Sequence, residues 1–130
     1  MTIHIEVSCG ELLDKLTILE IKSKRMEDPA KLANVEREKA LLTAVWETLP
    51  GVAGNATLAT LRQALQETNE KLWVIEDDIR DKERAGVFDE GFISLARSVY
   101  RTNDQRAALK KQVDTLLGSR LTEEKSYQPY

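Results

Sequence analysis

The chain has 130 residues, 42% hydrophobic and 32% charged, with 19 Lys and Arg against 22 Asp and Glu and a formal net charge of -3. That size suits one domain around one core, and the near-balance of charge argues against the cationic face of a nucleic-acid binder. One cysteine, Cys9, and one histidine, His4, exclude an internal disulfide, cysteine- or histidine-based zinc sites and a histidine-centred triad.

The first residues lack the basic and apolar blocks of a signal peptide, and no apolar run reaches membrane-spanning length. A cytoplasmic location without membrane or nucleic-acid partners is the expectation.

Thr2 to Val7 alternate as T-I-H-I-E-V, which predicts a short extended arm over residues 1–7. Ser8 and Glu11 then form the S-x-x-E of a capping box, opening a helix over 8–27 with Leu12, Leu16, Leu19, Ser23 and Met26 at 4,3,4,3 spacing. Asp28-Pro29 closes it and starts the next helix, over 28–49, with Asp as N-cap and Pro at the first helical position. Its stripe is Leu32, Val35, Lys39, Leu42, Trp46 and Leu49. Pro50-Gly51 and Gly54-Asn55 then break the pattern.

A third helix over 55–85 carries Leu58, Leu61, Leu65, Thr68, Leu72, Ile75 and Ile79 in unbroken heptad spacing. Gly86 and Asp89 mark a turn. A fourth helix over 89–117 repeats the spacing with Phe92, Leu95, Val99, Thr102, Arg106, Leu109, Val113 and Leu116. The remaining tail, 119–130, has too little apolar periodicity for a core helix, although its Glu123-Glu124-Lys125-Ser126-Tyr127 run suits docking onto the bundle.

The fold class is therefore all-α: a single domain of two antiparallel, coiled-coil-like helical hairpins. Both seams fall into register around their turns, with Ile79 opposite Leu95, Leu65 opposite Leu109 and Leu16 opposite Leu42. The third helix outruns the second. Folding it back from the Pro50–Asn55 break places Lys39 near Thr68 and Leu32 near Ile75, so that Glu76 to Arg97 overhangs the first hairpin. That overhang carries more apolar surface than a small monomer leaves in water, and a homodimer is the expectation, with Trp73, Glu76, Ile79, Arg80, Phe88, Phe92, Leu95 and Tyr100 as its interface.

The same register puts Lys39, Thr68 and Arg106 at one level beside Leu19, with Ser23 and Thr102 one layer away. Two cations in a seam need counter-charges, and Glu20, Glu36, Glu67 and Asp104 are the nearest. An anion pocket, with Arg as a planar fork and Lys as a point charge, is one reading. The favoured one is structural: Lys39 snorkels outward and Arg106 is ion-paired internally.

The acidic run Glu76-Asp77-Asp78, with Asp81 and Glu83, is interleaved with Arg80, Lys82 and Arg84. Glu67-x-x-Glu70 and Asp78-x-x-Asp81 lie on one helix, too far apart to share an ion. A solvated, ion-paired face is the expectation, with no metal and no cofactor. Trp46 and Trp73 read as core or interface residues. His4 reads as a surface residue, and Ser8 has no base near it.

Four segments resemble an uncharacterised bacterial family catalogued as a domain of unknown function, number 6165. They are E-V-S-C-G-E-L-L-D-K-L-T-I-L from Glu6, L-W-V-I-E-D-D-I-R from Leu72, L-A-R-S-V-Y-R-T-N-D-Q-R-A from Leu95 and E-E-K-S-Y from Glu123. The resemblance implies a small cytoplasmic protein with no assigned activity. It draws attention to Glu6, Ser8, Glu11, Asp14 and Lys15, and to Trp73, Glu76, Asp77, Arg80, Arg97, Tyr100, Asn103, Asp104 and Arg106.

No catalytic set emerges from these residues. The functional expectation is a non-enzymatic helical interaction module acting as a homodimer, with a possible protein partner. The alternative is a binding protein or enzyme for a small carboxylate or phosphate, using Lys39, Thr68, Thr102 and Arg106.

Overall fold

The structure, a computed structural model, describes residues 1–130. Four helices follow an exposed, non-helical arm: α1 (Cys9–Arg25), α2 (Pro29–Glu47), α3 (Ala56–Ala85) and α4 (Glu90–Leu117). There is no strand. Each boundary has a local cause. Ser8 Oγ accepts from the Glu11 N–H, Asp28 from Ala30 and Lys31, Asn55 from Leu58, and Asp89 from Phe92. Each of these caps satisfies an orphan donor, and replacing one by Ala typically costs about 1 kcal/mol. Gly86 and Gly118 end α3 and α4 at φ of +67° and +65°, a left-handed conformation that glycine reaches without a Cβ clash.

The helices pair in sequence as two hairpins, α1 with α2 and α3 with α4. The way the hairpins meet differs from the register expectation. No α2 Cα lies within 8 Å of α3 or α4; α1 makes the close approach to both. Lys39 is therefore not placed at Thr68, nor Leu32 at Ile75.

The physical reason is that α1 carries two buried stripes rather than one. Leu12, Leu16 and Leu19 form the first. Gly10, Leu13, Asp14, Thr17 and Ile21 form the second, and all eight are buried. A helix buried on most of its circumference belongs in the middle of a fold. On α2 only Val35 and Trp46 are fully buried, as befits a helix with one neighbour.

The core clusters Leu12, Leu13, Leu16, Trp46, Leu58, Leu65 and Val113, with Leu42, Leu49, Leu61 and Leu109 packed against it. Trp46 is thus where α2 reaches the common core. Burying each such side chain contributes about 1.5–3 kcal/mol. The cluster occupies the end of the long hairpin away from its turn. Between Glu76 and Arg101 no residue is fully buried.

Candidate functional site

The polar centre lies where α1 meets α3 and α4. Asp14, 1% exposed, is its middle. Its Oδ1 accepts from Arg106 Nε and from Asn69 Nδ2, both at 2.9 Å, while Arg106 Nη2 donates to Oδ2. The planar fork thus meets both carboxylate oxygens, the geometry that makes Arg–carboxylate pairs strong. Asn69 Nδ2 also donates to Thr17 Oγ1 at 2.9 Å, and that hydroxyl donates to the Asp14 carbonyl at 2.8 Å. Three helices are tied by one carboxylate.

One turn along α4, Lys110 shares the face of Arg106. Its Nζ lies 2.7 Å from Glu11 Oε2, 3.1 Å from Glu123 Oε2 and 4.0 Å from Asp14 Oδ2. Burial pushes the Lys110 ammonium down, but the bonds to Glu11 and Glu123 and the charge of Asp14 outweigh it and hold the group above its ordinary value. The bond to Asp14 raises the Arg106 guanidinium against its own desolvation. Lys110, with Lys125 behind it, lowers the Glu123 carboxyl. Asp14, Glu11 and Glu123 are thus matched by Arg106, Lys110 and Lys125. The centre holds its cations for its own carboxylates.

Below it the helices nearly touch. The Gly10 N–H donates to Asp114 Oδ1 at 2.6 Å, and a Cβ at Gly10 would stand 2.3 Å from the Lys110 carbonyl oxygen. Only glycine allows that approach. Asp114, itself buried, supplies an anion to the first turn of α1, where free N–H groups favour one.

Past Gly118 the tail folds back along α4. Lys110 and Lys111 pair with Glu123 and Glu124, and Arg120 with Glu6. Tyr130 Oη donates to Asp104 Oδ2 at 2.6 Å, and the rings of Tyr130 and Tyr100 meet edge to face at 5.1 Å. The Tyr130 hydroxyl is correspondingly raised, its proton held by Asp104. Between tail, α4 and the first turn of α1 lies an open groove of about 900 Å³, bordered by Arg106, Lys110, Asn103, Tyr100 and Tyr127.

The distal half of the α3/α4 hairpin is different in kind. Ile79, Phe92, Leu95 and Val99 continue the seam but are only part-buried. Phe88 is 60% and Ile93 47% exposed, with Val74, Val87 and Tyr100 also open to solvent. Phe88 and Phe92 meet edge to face at 5.1 Å. The tip's ion pairs are Arg80–Glu76, Lys82–Asp89 and Arg84–Asp81, which leaves Asp77, Asp78, Glu83, Glu90 and Arg97 without one.

Of the residues expected in one polar layer, Thr102 is buried and Arg106 is ion-paired, but to Asp14 rather than to Glu20, Glu36, Glu67 or Asp104. Thr68 donates to the Ala64 carbonyl, and Lys39 stays with α2, away from the other three. Glu20 pairs with Arg62, and Glu36 accepts from Ser23. Trp73, Glu76, Ile79, Arg80, Phe88, Phe92, Leu95 and Tyr100 all lie on the distal half, none fully buried. Lys15 pairs with Glu38 across the first hairpin.

Gly10, Asn69, Lys110 and Asp114 were not singled out by sequence reasoning. A signal existed for two of them. Asn69 interrupts Leu65 and Leu72 at 4,3 spacing, and Gly10 opens the stripe Asp14, Thr17, Ile21.

No helix is long and apolar enough to cross a membrane, and no group of three or more His, Cys, Asp or Glu stands together to hold a metal ion. No curated protein and no solved structure matches the chain. One family model matches residues 3–129, and the chain accordingly belongs to that family, described as a family of unknown function (DUF6165).

Proposed function

We propose that this protein is a non-enzymatic helical interaction module acting as a homodimer, with the distal half of the α3/α4 hairpin as its contact. One observation carries the reading: the seam runs the full length of the hairpin, but the third helix that buries it stops short. Where α1 lies, Leu65, Asn69, Leu72 and Ile75 are buried; beyond Ile75 the same spacing continues without full burial. A second copy offers the same unfilled face, so a two-fold contact would close on itself.

Charge supports a copy of this chain as occupant. The unpaired carboxylates at the tip, Asp77, Asp78, Glu83 and Glu90, have counterparts in Arg97 and in Lys22, Lys24 and Lys39 of the first hairpin, which form no ion pair of their own. In an antiparallel pair the tip of each copy runs toward the first hairpin of the other. The polar centre fits the same reading, because Arg106 and Lys110 serve internal carboxylates.

The test is substitution of exposed tip residues whose loss leaves the monomer intact. Phe88→Asp with Ile93→Asp should raise the dimer dissociation constant at least about tenfold, since about 1.4 kcal/mol suffices and burying one such side chain is worth that much. Helicity should not change. An unchanged dimer affinity would place the contact elsewhere.

A further inference from the structure

Residues 2–7 have the makings of a strand but no sheet to join. Thr2-Ile3-His4-Ile5-Glu6-Val7 alternates polar and apolar, is rich in β-branched residues, and holds no Pro, Gly or Lys to discourage pairing. No backbone N–H or C=O of the six bonds to another backbone group. Ile3, Ile5 and Val7 share one side of the extended chain and are 76%, 77% and 45% exposed. On the other side Glu6 bonds Arg120 through Oε1, and just beyond the arm the Cys9 N–H donates to Ser119 Oγ at 3.2 Å. The arm is therefore rooted at the end of α4 away from the hairpin tip, with its apolar side open to solvent.

An exposed apolar edge of this kind is a template for another strand, and its own sequence fits it. In an antiparallel pair, residues that face each other lie on the same side of the ribbon, and their position numbers have a constant sum. A sum of 10 sets Ile3 against the partner's Val7 and Ile5 against the partner's Ile5, so that all the apolar side chains share one face. On the opposite face His4 meets the partner's Glu6, whose Oε2 is left free by the ion pair with Arg120. A sum of 8 sets His4 against His4, and a sum of 12 sets Glu6 against Glu6, like charges that repel. Any odd sum turns the isoleucines onto the polar face. Of these, only the sum of 10 matches apolar to apolar and basic to acidic.

The geometry has room for the pairing. Each arm joins its body at Ser8, so the two bodies leave from opposite ends of the ribbon. With Ser8 level with the partner's Thr2, the two Ser8 positions lie about 20 Å apart, roughly twice the diameter of a helix.

We infer that two copies join arm to arm, residues 2–7 of each forming an antiparallel two-stranded ribbon centred on Ile5. The contact lies at the opposite end of the molecule from the hairpin tip and does not depend on the tip contact proposed above. A two-stranded ribbon is marginal by itself, so the arms link copies at high concentration and leave the micromolar state to the tip. Each contact closes on itself about a two-fold axis, and chains that use both ends assemble beyond the dimer.

Disulfide trapping at high protein concentration tests this in the full chain carrying Cys9→Ala, with Phe88→Asp and Ile93→Asp to remove the tip contact. Ile5→Cys should cross-link to itself at least about tenfold faster than Ile3→Cys, because a disulfide reaches only between facing positions. The two copies of residue 5 face each other, whereas the two copies of residue 3 lie about 13 Å apart along the ribbon. Ile3→Cys mixed with a size-tagged Val7→Cys chain should give a product of mixed size. Equal rates for Ile5→Cys and Ile3→Cys, as from random collision or parallel pairing, would overturn the inference. A fast Ile5→Cys product without the mixed one would overturn it too, since the arms would then meet without pairing. Because these chains lack the tip contact, either result stands whether or not the tip dimer does.

Discussion

Replacing Asp14 by Ala tests the polar centre most sharply. The substitution removes the only carboxylate that Arg106 meets with both of its donors, and one of the two acceptors of Asn69 Nδ2. Breaking a buried ion pair by deleting one member costs about 3–5 kcal/mol, because the other charge remains. Arg106 keeps 29% of its side chain exposed and borders the open groove, so it can partly rehydrate. The lower end, about 3 kcal/mol, is the expected cost. For a domain stable by about 5–15 kcal/mol, the variant still folds, with its melting temperature lowered by about 10 °C. Urea and thermal unfolding measure this directly. Combining Asp14→Leu with Arg106→Met should recover part of the loss, since replacing both partners leaves no unpaired charge. A cost below about 1 kcal/mol for Asp14→Ala, or strict additivity in the double variant, would refute the claim that this pair ties α1 to α4.

Gly10→Ala should destabilise by at least about 2 kcal/mol, because its Cβ would meet the Lys110 backbone and separate Gly10 N–H from Asp114; unfolding equal to the parent's would contradict the close approach. Lys39→Ala should change stability by less than about 0.5 kcal/mol, as for other surface positions, and a loss several times larger would restore a role in the core. The tail should be held most firmly between two pH limits. Glu123 has a lowered folded-state value, so its contribution is complete above the ordinary 4.5 and is lost as pH falls through that lowered value. Tyr130 has a raised one, so its contribution is complete below the ordinary 10.0 and is lost as pH rises through that raised value. Ring shifts of Tyr130 followed by NMR should move toward random-coil positions at both extremes, and Tyr130→Phe should weaken docking in between; a tail with random-coil shifts at neutral pH would show that these contacts do not hold it.

Periodicity, caps and glycines were enough to read the four helices and their two hairpins, because those features act within a few residues. The four helix starts are each fixed by a capping side chain, Ser8, Asp28, Asn55 or Asp89, and α3 and α4 end at glycines. What local pattern could not decide was which helix of the first hairpin faces the second. Both α1 and α2 show a 3,4 stripe. Only the second stripe of α1, Gly10, Leu13, Asp14, Thr17 and Ile21, marks it as central, and two of those five residues are polar. The polar centre was half readable for the same reason. Arg106 in a leucine seam signals a buried cation, but its counter-ion is ninety-two positions away, on α1. Long-range pairing of that kind has no period to betray it. The distal hairpin stood out because an apolar seam with no third helix is a property of length, which sequence states directly.

Light scattering of the full-length protein at micromolar concentration tests the central claim most directly. The account predicts a mass near twice 14.7 kDa that falls to the single-chain value in Phe88→Asp, Ile93→Asp. A parent protein that scatters as a single chain of 14.7 kDa would contradict it.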